Sequence, residues 1–141
     1  MKNSLLLQMK LTKNIMDSKT NKYLKPYGIS SEQGILLKFV YEMPGLSQTQ
    51  IAGCLHKDKT TITRIIDTLV KKGKLIRKVS NEDRRIFQIY VTQETKKGIE
   101  ELTPIFKKQE EDLKNIINDD DYETTLKVLE KIKKYYKELN E

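Results

Sequence analysis

The sequence has little of several residue types, and each scarcity narrows the class of protein. It contains one cysteine, so no internal disulfide can form and nothing in it requires an oxidising compartment. It contains one histidine and no cluster of ligands with the spacing of a metal site, so we expect no metal and no cofactor. A glycine-rich phosphate loop is missing, as is any matched set of serine, histidine and aspartate, and we therefore do not expect an enzyme.

Long hydrophobic runs are also missing. The apolar cluster nearest the N-terminus is Leu5–Leu7, which is too short for a signal peptide or a membrane-spanning helix. We therefore expect a cytoplasmic protein without a membrane partner. The 141 residues suffice for one hydrophobic core, and we predict a single, mainly helical domain over residues 1–141.

Positive charge is abundant and unevenly distributed. Residues 1–91 contain 17 basic and 7 acidic side chains, whereas residues 92–141 contain 10 basic and 13 acidic ones. The most basic segment is Lys57–Arg85, with 10 basic and 4 acidic residues. Such local charge favours a polyanionic partner, although a solvated lysine-rich surface would have the same composition.

Capping signals and apolar periodicity predict four helices in the first half of the chain. The first covers residues 4–25 and the second residues 31–43, where Ser30 begins a capping box. A short helix follows at Gln48–Leu55, and a fourth helix starts after Asp58 and ends before Gly73. The apolar stripe of the second helix consists of Ile35, Leu36, Phe39, Val40 and Met43.

The fourth helix has a polar side that suits the major groove of DNA. Its apolar stripe of isoleucine and leucine accounts for one side only, and four threonines on one helix need a reason because threonine is a mediocre helix former. Short hydroxyl side chains let a helix sit deep in the groove, and an arginine can bind guanine O6 and N7. The alternative is an ordinary amphipathic surface helix with threonines on its solvent-facing side. The residues predicted to read DNA are Lys59, Thr60, Thr61, Thr63 and Arg64.

Two predicted strands, Leu75–Val79 and Ile86–Val91, are joined by a charged tip that carries Asn81 and a pair of arginines. A short helix, a turn, a second helix and a hairpin form a winged helix-turn-helix pattern. In that arrangement Arg84 or Arg85 would reach the neighbouring minor groove, whose negative potential draws arginines. Asp83 could hold one guanidinium in a bidentate pair; alternatively, the tip is a surface ion pair without a function.

Three further residues near the helix pair are predicted to contact DNA phosphates: Ser47, Gln48 and Lys57. His56 is expected to serve a turn or a phosphate contact. Cys54 fits a small core position in the short helix, and redox sensing is the less favoured alternative.

The second half of the chain predicts two long helices. One runs from Thr92 to about Asn118, with Pro104 as a kink or an internal start, and the other follows three aspartates at 119–121. The apolar stripes of the terminal helices exceed what the short helices could cover, so we expect them to pair two chains rather than close on the same chain. The predicted interface residues are Leu126, Leu129, Ile132, Tyr136 and Leu139.

Residues 46–92, LSQTQIAGCLHKDKTTITRIIDTLVKKGKLIRKVSNEDRRIFQIYVT, resemble the DNA-binding core of the MarR (multiple antibiotic resistance regulator) family. The Asp83-Arg84-Arg85 signature of the wing, followed by a strand that ends at Val91-Thr92, is typical of that family. The resemblance implies a winged helix-turn-helix over residues 30–92 with a wing of two or three antiparallel strands. It also implies dimerisation helices at 1–25 and 93–141.

The resemblance implies a homodimeric transcription regulator, usually a repressor, that binds a pseudopalindromic operator on double-stranded DNA. Members often release DNA when they sense a small phenolic or other apolar compound or an oxidant, but no residue here identifies an effector site. Two departures stand out: Thr95 occupies a position where the family often has glycine, and residues 1–30 lack the sensing cysteine of the redox branch. A module that binds DNA without reading sequence, or that binds protein through its basic side, remains the alternative function.

Overall fold

The computed structural model describes residues 2–139, and within them it confirms a mainly helical winged fold with a three-stranded antiparallel sheet. The helices are α1 (Leu5–Leu24), a short 3-10 helix (Lys25–Tyr27), α2 (Ser31–Glu42), α3 (Gln48–Leu55), α4 (Lys59–Lys71), α5 (Gln93–Ile116) and α6 (Asp119–Lys137). The strands are β1 (Leu46–Ser47), β2 (Leu75–Val79) and β3 (Phe87–Val91).

The predicted capping boxes begin α2 and α3. The Ser30 hydroxyl accepts a hydrogen bond from Gln33 N at 3.2 Å, while the Gln33 side chain accepts one from Ser30 N at 3.0 Å. Ser47 and Gln50 repeat this exchange at 3.1 and 2.9 Å. These reciprocal bonds satisfy amide groups that have no partner within the helix, which explains why both helices begin where the sequence predicted.

The turn between α3 and α4 depends on His56. This residue has φ 55°, the only positive φ of a non-glycine residue in the described chain, and it forms the C-cap of α3. The next amide, Lys57 N, donates to Ala52 O at 3.1 Å. The turn role that the sequence suggested for His56 is therefore confirmed.

The sheet has the order β1-β3-β2. Val79 pairs with Phe87 at the tip and Leu75 with Val91 at the base, and β1 adds the pair of Leu46 with Ile89. The second hairpin strand begins one residue later than predicted, because Ile86 closes the tip with its backbone: its N donates to Asp83 O, and its O accepts from Ser80 N.

The hydrophobic core lies between α2, α3, α4 and the sheet. The predicted stripe of α2 was partly wrong: Leu37 is buried, whereas Ile35 is 51% exposed and Met43 38% exposed. The core residues are Leu36, Leu37, Val40, Ile51, Ala52, Ile62, Ile66, Leu69, Leu75 and Ile89.

Thr95 fixes the start of α5. Its buried hydroxyl donates to Lys74 O at 2.7 Å, and its amide donates to the Thr92 hydroxyl at 3.3 Å. The Thr92 hydroxyl in turn donates to Gly73 O at 2.9 Å. Thr95 thus ties α5 to the turn between α4 and β2.

The chain divides into two compact units, one that ends at Glu101 and one that begins at Leu102. The first contains α1 to α4, the sheet and the start of α5. The second contains the rest of α5, which continues through Pro104, and α6. None of the helices in residues 2–139 combines the length and the apolar character needed to cross a bilayer.

Candidate nucleic-acid interface

Helix α4 presents the predicted polar side to solvent. Its stripe of Ile62, Ile66 and Leu69 is fully buried, which holds the opposite side outward. Lys59, Thr60 and Arg64 are exposed, Thr61 and Thr63 are half-buried, and all but Thr61 line one shallow surface groove together with Asp67. Within the described chain Arg64 makes no hydrogen bond or ion pair through its guanidinium. The polar side of α4 is therefore not covered by other parts of residues 2–139.

Asp58 holds the first turn of α4. Its carboxylate accepts from Thr61 N at 2.7 Å and from the Thr61 hydroxyl at 2.9 Å. These two bonds are the main reason that the pKa of Asp58 lies below its ordinary value. Because the carboxylate is charged at neutral pH, it also complements the positive end of the helix dipole.

A polar network connects α3, α4 and β2 beneath the groove. The Gln48 amide nitrogen donates to the Thr63 hydroxyl at 3.1 Å, and Arg77 Nε donates to Gln48 Oε1 at 3.0 Å. Arg77 also forms an ion pair with Asp67 through Nη2. Sequence reasoning missed Arg77. The alternation of β2 could have revealed it, because Arg77 shares a strand side with buried Leu75, where a charge needs partners.

The three predicted phosphate contacts are engaged within the protein. Ser47 caps α3, Gln48 belongs to the polar network, and Lys57 Nζ lies 2.8 Å from Glu32 Oε1. The Lys57 side chain is nevertheless partly exposed, and a surface ion pair of this kind is weak enough to exchange for a phosphate. Their contact with DNA stays a prediction.

The wing contains the bidentate pair that the sequence suggested. Arg85 Nε donates to Asp83 Oδ1 at 3.1 Å and Nη2 donates to Oδ2 at 3.0 Å, while Arg85 N also donates to Oδ1 at 3.0 Å. These bonds lower the pKa of the Asp83 carboxyl below its ordinary value. The Arg85 side chain remains 90% exposed. Arg84 lines a separate shallow groove beside Ser80 and Asn81 and makes no hydrogen bond or ion pair within residues 2–139.

Four of the predicted dimer residues lie on α6, in the second unit, and the fifth, Leu139, follows the end of that helix. Leu126, Leu129, Tyr136 and Leu139 are between 41 and 51% exposed, and Ile132 is half-buried. The exposed apolar residues of α1, in the first unit, are Leu5, Leu6, Leu11, Ile15 and Met16. Neither surface is covered by the chain described here.

Residues 2–139 contain no group of three or more histidine, cysteine or acidic side chains that could hold a metal ion. Cys54 is half-buried and free. The chemistry of the candidate interface is therefore that of arginine, lysine, hydroxyl and amide groups, which bind phosphates and base edges through charge and hydrogen bonds.

Comparison with known proteins agrees with this geometry. The sequence model of the MarR family matches residues 29–87. The Bacillus subtilis (strain 168) protein YwoH, described as an uncharacterized HTH-type transcriptional regulator, is 29% identical over 119 residues, which cover 84% of this chain and 86% of that protein.

Two solved structures share the fold. The crystal structure of an S. aureus MepR–DNA complex superimposes with a TM-score of 0.85 at 25% identity and covers 94% of this chain and 98% of that one. A MarR protein from Peptoclostridium difficile superimposes with a TM-score of 0.85 at 22% identity, over 95% of this chain and 88% of that one. By its motif, its fold and these matches, the chain is similar to the MarR family of DNA-binding transcription regulators, and the match to the family model lies in the winged helix-turn-helix.

Proposed function

We propose that the protein is a homodimeric repressor that binds a pseudopalindromic operator in a sequence-specific manner. The observation that carries this proposal is the outward polar side of α4, where the Arg64 guanidinium has no hydrogen-bond or ion-pair partner within residues 2–139 and lies in one groove with Thr60 and Thr63. The similarity to MepR, which has been crystallised with DNA, supports it. Such a regulator acts on the chromosome, and we therefore expect it in the cytoplasm.

Helix α4 would enter the major groove. Lys59, Thr60, Thr61 and Thr63 lie in its N-terminal half, from which recognition helices reach base edges. The unpaired guanidinium of Arg64 can donate two parallel bonds to guanine O6 and N7. Arg64 would therefore supply the strongest base discrimination of the set.

The wing would occupy the adjacent minor groove. Asp83 holds Arg85 in one orientation while most of the Arg85 side chain stays in solvent, so that less conformational entropy is lost when the arginine meets DNA. We assign Arg85 to the minor groove, and Arg84 and Asn81 to the phosphates beside it.

A dimer would double the number of contacts. Two copies of α4 related by a twofold axis would read half-sites about 34–36 Å apart, one turn of DNA. The exposed apolar side chains of α1 and those of α6 are two surfaces, each of which a second chain would cover. In this proposal, a DNA-binding lobe at 30–92 lies in sequence between dimerisation helices at 1–25 and 93–141.

Release by a small apolar or phenolic effector fits this geometry. A ligand that binds more tightly to a dimer with the wrong spacing of the two α4 helices would lower operator affinity. The effector itself is identified by screening compounds for a fall in operator affinity.

Selection of bound fragments from genomic DNA by the purified protein tests the proposal. We expect enrichment of a pseudopalindrome, and binding that survives an excess of random competitor DNA. Equal loss of binding with random and specific competitors would instead indicate a module that does not read sequence.

Substitutions assign the contacts. Arg64→Ala should relax the preference at one base pair of each half-site by roughly 5- to 100-fold. Arg84→Ala combined with Arg85→Ala should weaken binding to all sequences more evenly. Lys97→Ala, which removes one exposed charge from α5, is the matched control and should change neither property.

A further inference from the structure

The threonines of α4 differ in what their hydroxyl groups bond. The Thr61 hydroxyl donates to an Asp58 carboxylate oxygen at 2.9 Å, and the Thr68 hydroxyl donates to Arg64 O at 3.1 Å. Carboxylate and carbonyl oxygens only accept hydrogen bonds, so both threonines donate their only hydroxyl proton to a partner within the protein. Towards a ligand, these two hydroxyl groups can only accept.

Thr63 is bonded in the opposite sense. The partner of its oxygen is the Gln48 side-chain amide at 3.1 Å, and the other end of that amide lies 3.0 Å from Arg77 Nε. A guanidinium has donors and no acceptor, so the amide must turn its oxygen to Arg77. Its NH2 group therefore faces Thr63, and the Thr63 oxygen accepts.

Arg77 is well suited to fix this orientation. Its side chain is only 23% exposed, its Nη2 is held by Asp67, and its guanidinium lies 5.9 Å from the centre of the Phe87 ring. With these contacts the guanidinium cannot turn away without leaving Asp67 and Gln48 unpaired. The amide of Gln48 therefore has one stable orientation rather than two.

The proton of the Thr63 hydroxyl has no acceptor within residues 2–139. In particular, Thr63 lacks the bond to a backbone carbonyl that Thr68 makes within the same helix. Thr63 also lines the surface groove of α4 together with Thr60 and Arg64. The hydroxyl proton of Thr63 is therefore available on the side of α4 that faces solvent.

We infer that Arg77, acting through Gln48, makes Thr63 a hydrogen-bond donor towards the major groove and thereby sets base preference at one position of each half-site. Arg77 and Gln48 are positioning residues, and Thr63 is the residue that determines specificity. This inference rests on the proposed function, because it requires α4 to lie in the groove.

The base edges that suit a donor follow from the chemistry of the groove. Guanine N7 and O6, adenine N7 and thymine O4 accept hydrogen bonds, whereas the cytosine amino group only donates. Thr63 can donate to any of these acceptors and also keeps one free lone pair, so acceptor-bearing bases should compete with cytosine at the position that it contacts. A hydroxyl bonded as in Thr61 has no proton to donate and would favour the cytosine amino group.

Gln48→Glu tests the inference because it reverses the polarity and keeps the shape. One carboxylate oxygen would still accept from Arg77, and the other would accept the Thr63 proton, so Thr63 would offer only lone pairs to DNA. In a selection from a randomised operator library, we expect the ratio of cytosine to acceptor-bearing bases at one position of each half-site to rise about tenfold. The other positions should keep their preferences.

Matched variants distinguish the effect of reversing the Thr63 hydrogen bond from the effect of the added negative charge. Gln50→Glu adds the same charge to α3 and keeps the bond from Ser47 N, because a carboxylate also accepts. It should lower affinity for all sequences without a change in preference. Thr63→Val should abolish the preference at the same position, and Gln48→Glu should have no further effect on it in that background, whereas Thr63→Ser should retain it.

The outcomes distinguish the inference from the proposed function. If the unsubstituted protein selects no sequence, the proposed function fails. If it selects a sequence but Gln48→Glu behaves like Gln50→Glu, or Thr63→Val leaves every preference unchanged, the inference about Thr63 is overturned while the proposed function stands.

Discussion

Helices α4 and α6 have similar amphipathic sequences and opposite environments. In α4 the stripe formed by Ile62, Ile66 and Leu69 is completely buried. In α6 the corresponding side chains of Leu126 and Leu129 remain 47 and 41% exposed. Periodicity alone therefore indicates which side of a helix is apolar, and it does not indicate whether that side packs within the chain or against another one.

The difference assigns the two helices to two tasks. Ile62, Ile66 and Leu69 are buried, and Ile65 packs half-buried against the same core, which fixes α4 in one orientation. Its polar side can therefore present hydroxyl and guanidinium groups in a defined geometry. An uncovered apolar stripe of the size found on α6 is unusual for a surface that faces only water. We propose that a second chain covers it, which would set the distance between the two copies of α4.

The largest effect is expected when the surface of α6 is made polar. Leu126→Glu combined with Leu129→Glu should convert a dimer into a monomer, because each glutamate would have to be buried without a partner. Operator affinity should fall at least 100-fold, since the second half-site no longer binds as part of the same particle. Sedimentation and operator titration measure both changes.

A control with the same change in charge lies on the other side of α6. Thr124→Glu combined with Lys131→Gln also lowers the charge by two, and both residues are exposed. This variant should remain a dimer with little loss of affinity. If the Leu126 and Leu129 variant also stays dimeric at micromolar concentration, α6 is not the interface.

Removing the same number of carbon atoms from the apolar stripe of α4 and from that of α6 distinguishes packing within the chain from packing between chains. Ile66→Ala and Leu129→Ala each delete three carbon atoms. Ile66→Ala should lower the free energy of unfolding by about 2–4 kcal/mol, because it leaves a cavity in the core. It should leave the dimer dissociation constant nearly unchanged, as judged from urea unfolding and sedimentation together.

Leu129→Ala should have the reverse profile. Each dimer loses the contact twice, so the dimer dissociation constant should rise about tenfold or more, which corresponds to the apolar area withdrawn from the interface. The change in unfolding should then depend on protein concentration. A loss of stability as large as that of Ile66→Ala at every concentration would mean that Leu129 packs within its own chain.

The elements themselves were predictable because their signals are local. Ser30, Ser47 and Asp58 each cap a helix where the sequence indicated, and β2 has the predicted bounds. The sequence predicted a wing of two or three strands but did not locate β1, because a strand of two residues has no periodicity. The pairing of β1 with β3 forms only in the folded chain. Likewise Leu37, rather than Ile35, is buried because neighbouring elements select the part of α2 that is covered.

In the candidate site, too, contacts between neighbours in sequence were predictable, whereas contacts between distant segments were not. The pair of Asp83 and Arg85 was predictable because the two residues are neighbours in sequence. The contacts of Arg77 with Gln48 and Asp67 were not, because they join β2 to α3 and α4, which are far apart along the chain. Composition could not show that one threonine of α4 donates to Asp58 and another accepts from Gln48, since the direction of a hydroxyl bond depends on its partner.

The smallest expected effect concerns how the two helices begin. Both have a side chain that accepts from the amide three residues later: Asp58 for Thr61 N at 2.7 Å in α4, and Asn118 for Asp121 N at 2.8 Å in α6. Only the aspartate titrates. Its pKa is lowered in the folded protein, so its contribution to stability is complete above the ordinary value of 3.8 and is lost as pH falls through the folded value.

Asp58→Asn should therefore remove part of the acid sensitivity. Asparagine is as good an N-cap as aspartate but carries no charge, so the variant should be slightly less stable than the unsubstituted protein at pH 7. The difference should shrink below about pH 4 and vanish once Asp58 is protonated in both states. Urea unfolding of both proteins from pH 7 to pH 2.5 measures it. The control is Ser4→Asn, a cap exchange in α1 where the side chain accepts from Leu7 N and no titrating group takes part, and its difference should stay constant. The free energies of unfolding of Asp58→Asn and the unsubstituted protein could instead differ by a constant amount over this range. That result would show that the charge of Asp58 does not stabilise α4 and that its bonds with Thr61 persist when the carboxyl is protonated.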